Sequence, residues 1–221
     1  MVLISRQRRK GVSNQQGFTI VEFMIATAVF SLVILLCSYA IIHIGMVYYK
    51  GVITNRTQDA ARRLSDDLVT AIQFGPVATD PSQFRRIGTN GDGDMHAVCL
   101  GTNRYSYVTD KAQGGGADKV HHVLWKDRVD DTLCEPVDLN NPGTDGQSLL
   151  GDNMRLSEFI VDPTGVDGQW SVAIRVSYGD TADLFELDTD GNTDFGVCRG
   201  VLAGGQFCAV SAFQTKVTKR L

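Results

Sequence analysis

Apolar positions are spread very unevenly along the chain. Between Phe18 and Tyr49 the only acidic or basic side chains are Glu22 and His43, and Phe23 to Ile42 is rich in Ile, Val, Leu, Phe and Ala. About 20 such residues in a helix cover ~30 Å, the thickness of a bilayer's hydrocarbon core. After Lys50 the pattern changes: Ala61, Leu64, Leu68, Ala71 and Ile72 recur at three- and four-residue intervals, with Arg62, Arg63, Asp66 and Asp67 between them. That spacing predicts an amphipathic helix, and Gly75-Pro76 stops it. One helix from about Phe18 to Phe74 would be roughly 85 Å long, apolar all round in its first half and carrying a single buried stripe in its second. Gly45 and Gly51 are its soft points, each costing about 1 kcal/mol relative to alanine.

Downstream the period shortens to two. Stretches 96–101, 104–109, 121–129, 154–161, 172–178 and 213–219 read as strands, parted by Gly, Asn, Asp and Pro clusters. The alternation in 172–178 and 213–219 suits an antiparallel sheet with one wet face. Gly114-Gly115-Gly116 and residues 140–146 read as loops. The fold class expected is therefore α+β: a long N-terminal helix, membrane-spanning in its first half, packed on an antiparallel β-sheet head. The organisation expected is a leader at 1–17, a transmembrane or filament-core helix at 18–49, its amphipathic continuation at 50–75, and a globular β-rich head at 76–221.

Charge sharpens this picture. The 221 residues hold 21 Lys+Arg and 25 Asp+Glu, a net charge of -4, so composition offers no electrostatic footprint for nucleic acid. Arg6, Arg8, Arg9 and Lys10 are the only charges before Glu22, and without residues 1–17 the balance falls to -8. A basic flank before the apolar run places the N-terminus in the cytoplasm and everything after Lys50 across the membrane. A cleaved secretory signal is the ordinary alternative, but it needs an apolar region of about 7 to 15 residues, and this run is about twice that.

Glu22 is the informative exception. A carboxylate inside an apolar helix costs ~2.5–3.5 kcal/mol on insertion scales when it lies deep, so such a group is paired or functional. Its setting is Gly17-Phe18-Thr19-Ile20-Val21-Glu22-Phe23-Met24, directly after the basic leader. This stretch resembles the processing site of type IV prepilins and type II secretion pseudopilins. The resemblance implies that prepilin peptidase cuts between Gly17 and Phe18 and methylates the new Phe18 amine. It also implies that Glu22, fifth in the mature chain, guides assembly by pairing with a neighbouring subunit's N-terminus. Many pilins carry a proline in the membrane half of the helix, and this chain has none between Phe18 and Phe74.

Length and two further stretches, 62–68 and 170–179, resemble minor pilins of the W type and minor pseudopilins of the J type. The reading is a minor pilin that helps to initiate or build a type IV pilus, with a J-type pseudopilin as first alternative. A single-pass anchored binding domain that never polymerises is the alternative from another class. Implied partners are prepilin peptidase, other pilins or pseudopilins, and the inner membrane. The precursor is expected in that membrane, and the mature protein in a periplasmic or extracellular filament.

Cys37 lies in the apolar run and reads as a small apolar residue. Cys99, Cys134, Cys198 and Cys208 fall in the exported part, where disulfides form; four cysteines allow three connectivities. Loop length favours Cys99 with Cys134 and Cys198 with Cys208. No cofactor is called for, and calcium is the one metal the pattern admits, at Asp188, Asp190, Asn192 and Asp194. An EF-hand counted from Asp188 would need Gly and Glu where Thr193 and Arg199 stand, so an acidic turn is the plainer account. Asn90 to Asp94 is weaker still. No nucleophile elbow, P-loop, HExxH or dinucleotide fingerprint occurs, and no enzyme activity is expected. His121 and His122, adjacent in an expected strand, would point to opposite faces and not share a metal, so they read as an exposed pair on a strand end, and Asp130 and Asp131 read as a solvated turn.

Overall fold

The structure is a computed structural model and describes residues 17–76, 85–89, 94–114, 119–129, 134–166, 168–181, 184–187, 189–190, 192–200 and 205–220. The basic leader and Asp130-Asp131 lie outside the described residues. By its internal contacts the chain divides into residues 1–45 and residues 46–221. A single helix, α1 (Ile20–Phe74), contributes to both.

In the first unit every described side chain is exposed. The helix is held by its backbone and by local hydroxyl bonds: Thr27 Oγ1 donates to the Met24 carbonyl at 3.0 Å and Ser31 Oγ to the Thr27 carbonyl at 2.7 Å. With its backbone paired internally and the Thr27 and Ser31 hydroxyls folded back on it, this half suits a lipid environment. Gly45 and Gly51 are both helical.

In the second unit α1 buries Ile53, Thr57, Ala61, Leu64, Leu68 and Ile72, one stripe at helical spacing. Thr57 Oγ1 donates to the Ile53 carbonyl at 2.9 Å, so the buried hydroxyl is satisfied. From Ala61 onward the stripe shares one core with Val98, Leu100, Tyr105, Tyr107 and Leu124 on one side, and with Leu156, Phe159, Trp170, Val172, Ile174 and Val176 on the other.

These partners come from two sheets where the sequence suggested one. The first comprises β1 (Arg85–Thr89), β2 (Asp94–Leu100), β3 (Asn103–Tyr107), β6 (Leu124–Arg128) and β7 (Gly146–Ser148), all antiparallel and in the order β1-β2-β3-β6-β7. The second has β4 (Ala112–Gln113), β5 (Lys119–Val120), β8 (Met154–Pro163), β9 (Gln169–Tyr178) and β12 (Ala209–Thr218), in the order β12-β9-β8-β4-β5. Among the described residues only the short β4–β5 pair is parallel. A two-stranded ribbon, β10 (Phe185–Leu187) with β11 (Thr193–Cys198), lies in sequence between β9 and β12.

The ribbon corrects one expectation. Trp170, Val172, Ile174 and Val176 alternate into the core as predicted, yet Ser177 on the other face is also fully buried. A register shift in β8 between Leu156 and Glu158 frees Ser157, whose hydroxyl meets that of Ser177 at 2.9 Å and donates to the Phe195 carbonyl of β11 at 3.1 Å. The bulge lets the ribbon cover what would otherwise be a wet face. A second correction concerns His121 and His122, which precede β6 and so are not strand neighbours: His121 is exposed, and the His122 ring packs on Trp125 at 4.7 Å.

Polar ties join α1 to both sheets. Asp67 accepts from Tyr105 Oη at 2.8 Å and from Lys126 Nζ at 2.6 and 2.9 Å. Burial, then the Asp67 carboxylate, pushes the Tyr105 phenol well above its ordinary pKa and keeps it a donor. At the other side Lys50 Nζ donates to the carbonyls of Gly205, at 2.9 Å, and Cys208, while Arg220 N donates to the Gln73 carbonyl at 3.2 Å. Helix and β12 thus run side by side in one direction, over about 35 Å of helix and about 40 Å of strand.

Candidate functional site

The site the sequence singles out lies at the start of α1. Gly17, Phe18 and Thr19 have no regular structure and are exposed. An irregular, accessible peptide bond is what a protease needs, because a helical one is locked in its ladder. Thr19 is the N-cap: its side chain accepts from Glu22 N at 3.2 Å. Glu22 Oε2 in turn accepts from Thr19 N at 2.9 Å and from Thr19 Oγ1 at 2.9 Å. This is a reciprocal capping box, T-x-x-E, which satisfies donors at the helix end that otherwise have no partner. Glu22 is therefore already hydrogen-bonded within its own chain, a capping role beyond the assembly role that the sequence implies. The Thr-x-x-Glu spacing before an apolar run was the available signal.

A capped apolar helix leading into an α+β domain is a pilin-like architecture, and its apolar half is long enough to serve as a membrane anchor. Residues 12–38 match the family model described as the prokaryotic N-terminal methylation motif. The match supports the type IV pilin and pseudopilin superfamily, whose motif marks structural subunits and not enzymes, and it implies processing by prepilin peptidase and association with a membrane. Neither the curated proteins nor the solved structures contain a match to the chain.

The other candidate residues are dispersed. Cys99 joins Cys134 and Cys198 joins Cys208, each pair with Cα atoms 5.8 Å apart, and Cys37 is a free, exposed thiol in the apolar half of α1. The first bond is packed with Ala97 and Val129, beside an Arg104–Asp127 ion pair in which Arg104 Nε donates to Oδ1 at 2.9 Å. Arg104 Nη1 also donates to the Glu135 carbonyl at 3.0 Å, next to Cys134.

Of the calcium candidates, Asp188 lies outside the described residues, as do Asn90 to Gly93 of the weaker stretch. Asp190 and Asn192 fall in the β10–β11 turn, and Asp194 Oδ1 accepts from Gly196 N at 2.7 Å within β11. Among the described residues no three His, Cys, Asp or Glu side chains converge to hold a metal. Burial, and secondarily His121, lower the His122 pKa, which favours a neutral imidazole packed on Trp125 over a charged one.

Proposed function

We propose that this protein is a minor pilin of a type IV pilus. Prepilin peptidase cleaves between Gly17 and Phe18 and methylates the Phe18 amine, and the apolar half of α1 then joins the helices of other subunits in a filament core. The observation that carries the reading is the N-terminal methylation motif at residues 12–38, set on a capped helix whose first half exposes apolar side chains on every face. Such a surface is far too large to stay in water, so lipid in the precursor and neighbouring helices in the filament are its natural partners. Loss of the leader's cations frees the segment to leave the bilayer. A J-type pseudopilin of a type II secretion system would use the same steps, and an anchored domain that never polymerises would use none beyond insertion.

Intact-mass analysis of the chain co-expressed with a prepilin peptidase tests the first step. The expected product begins at N-methylated Phe18. Retention of Met1, or a cut beyond the apolar run, would remove the proposal. Co-purification with sheared pili or with a secretion-system filament separates pilin from pseudopilin. Calcium at Asp188, Asp190, Asn192 and Asp194 is a lesser proposal resting on spacing alone; an unchanged Tm in millimolar calcium would dismiss it, since exported sites work in that range.

A further inference from the structure

The C-terminal disulfide loop ends in an aromatic side chain that the core does not use. Phe207, in a 3-10 turn (Gly205–Phe207), is 46% exposed, and its ring meets Tyr49 edge-on at 5.3 Å. Three devices hold it there. Cys208 is bonded to Cys198, and Lys50 Nζ donates to the carbonyls of Gly205 and Cys208 on either side of the turn. Gly205 lets the chain close on itself, since a Cβ there would fall 2.6 Å from the Arg199 carbonyl oxygen. The position is built, and what it presents outward is apolar. Tyr48, 73% exposed, and Tyr49, 44% exposed, lie immediately before Lys50 in the chain.

Helix arithmetic says where this cluster falls. The apolar run from Phe18 to Tyr49 is about 48 Å long at 1.5 Å per residue, close to the ~40–45 Å of a bilayer with both headgroup layers. If this run spans a bilayer with its start in the layer nearest the leader, Tyr48 and Tyr49 fall in the opposite one. Aromatic rings with an apolar body and a polar edge are the side chains that settle at that depth. The Lys50 ammonium is turned to the Gly205 and Cys208 carbonyls and so is engaged within the chain.

We propose that Tyr48, Tyr49 and Phe207 form a lipid contact that seats residues 205–208 in the headgroup layer opposite the leader. The occupant is the interfacial zone of the bilayer, argued from continuity with the apolar run that enters it. The inference rests on the membrane-anchored reading of that run and extends it to a residue far away in sequence. While the subunit waits in the membrane, the contact fixes the height of residues 205–208 above the hydrocarbon. Extraction into a filament must break it.

The test uses the full precursor chain in phosphatidylcholine nanodiscs whose acyl chains are brominated either close to the glycerol or near their ends. Phe207→Trp places a reporter at the site, and Phe213→Trp, further along β12 and also partly exposed, is the control. Trp125 and Trp170 are buried, and the wild type supplies their background. The emission added by Phe207→Trp should be largely lost in discs brominated close to the glycerol and largely kept in the others, while that of Phe213→Trp is kept in both. Adding Cys198→Ser with Cys208→Ser should weaken the quenching by unpinning the turn. Equal quenching at both positions, or stronger quenching by the deep bromines, would overturn the proposal even if the chain sits in the disc. Quenching undiminished by loss of the disulfide would overturn the part assigned to the loop. A chain that fails to enter discs would sink the membrane reading along with it.

Discussion

Glu22 shows how a single side chain carries two accounts that a substitution can part. The capping box needs an acceptor at the third helical position, which Gln supplies as well as Glu, whereas pairing with a neighbour's cationic amine needs the charge. Glu22→Gln should therefore keep the helix start but lose incorporation, and Glu22→Ala should lose both. The measurement is the ratio of this protein in sheared filaments to that in membranes at equal expression; a wild-type ratio for Glu22→Gln would reduce the residue to a cap. Asp110 offers a pH test. Burial raises its carboxyl above the ordinary value, Arg155 pulls it partly back and Asp194 pushes it up, so the folded chain holds this proton more firmly than the unfolded one. The unfavourable contribution is absent below the unfolded value near ~3.9 and grows as pH rises through the folded value. Asp110→Asn, tolerated at a φ of 62°, should raise stability at neutral pH by less than ~1 kcal/mol, since the residue is partly exposed, and by nothing in acid. Melting curves across pH check it. Gly17, Phe18 and Glu22 could be singled out from sequence because their pattern is local. Asp110 could not, because the groups that shift it, Arg155 and Asp194, arrive from β8 and β11.

Among the elements, α1 was the most legible, since two simple periodicities set its halves and Gly75-Pro76 ends it. Strands β8 and β9 were nearly as plain. Strand β1, Arg-Arg-Ile-Gly-Thr, was missed because it lacks alternation, and β4 and β5, two residues each, exist only through their tertiary pairings. The turn after Gly205 was also invisible, and it makes a sharp prediction. At Gly205 a Cβ would lie 2.6 Å from the Arg199 carbonyl oxygen and 3.1 Å from that of Gly200, backbone atoms that cannot swing aside. Gly205→Ala should cost about 1–3 kcal/mol, the usual range for forced overpacking. Gly200→Ala, with nothing within 4 Å, should cost far less. Thermal melting of the two variants compares them directly, and equal losses would mean that the crowding is relieved elsewhere.

At the scale of the whole molecule the class α+β was within reach, but the division into two sheets and a ribbon was not, because it depends on which strands pair and pairing is long-range. Cysteine pairing was easier, since only three arrangements exist and loop length separates them. Chain entropy ranks the two bonds: a sequence separation of 35 makes Cys99–Cys134 worth ~4 kcal/mol, against ~3 for the separation of 10 at Cys198–Cys208. Denaturant titration of the Cys99→Ser with Cys134→Ser variant should show the larger loss, and the reverse order would point to native-state strain instead. The ties at both ends of β12 bear on a different property, resistance to traction. Within the second unit, a pull along α1 from Lys50 to Gln73 runs parallel to β12, with Lys50 gripping the chain just before the strand and Gln73 gripping Arg220 just after it. Load applied this way shears the β12–β9 ladder, whose ten residue pairs must yield together, and does not unzip it one pair at a time. On the pilin reading, a subunit hauled by its helix would meet that load in shear along β12.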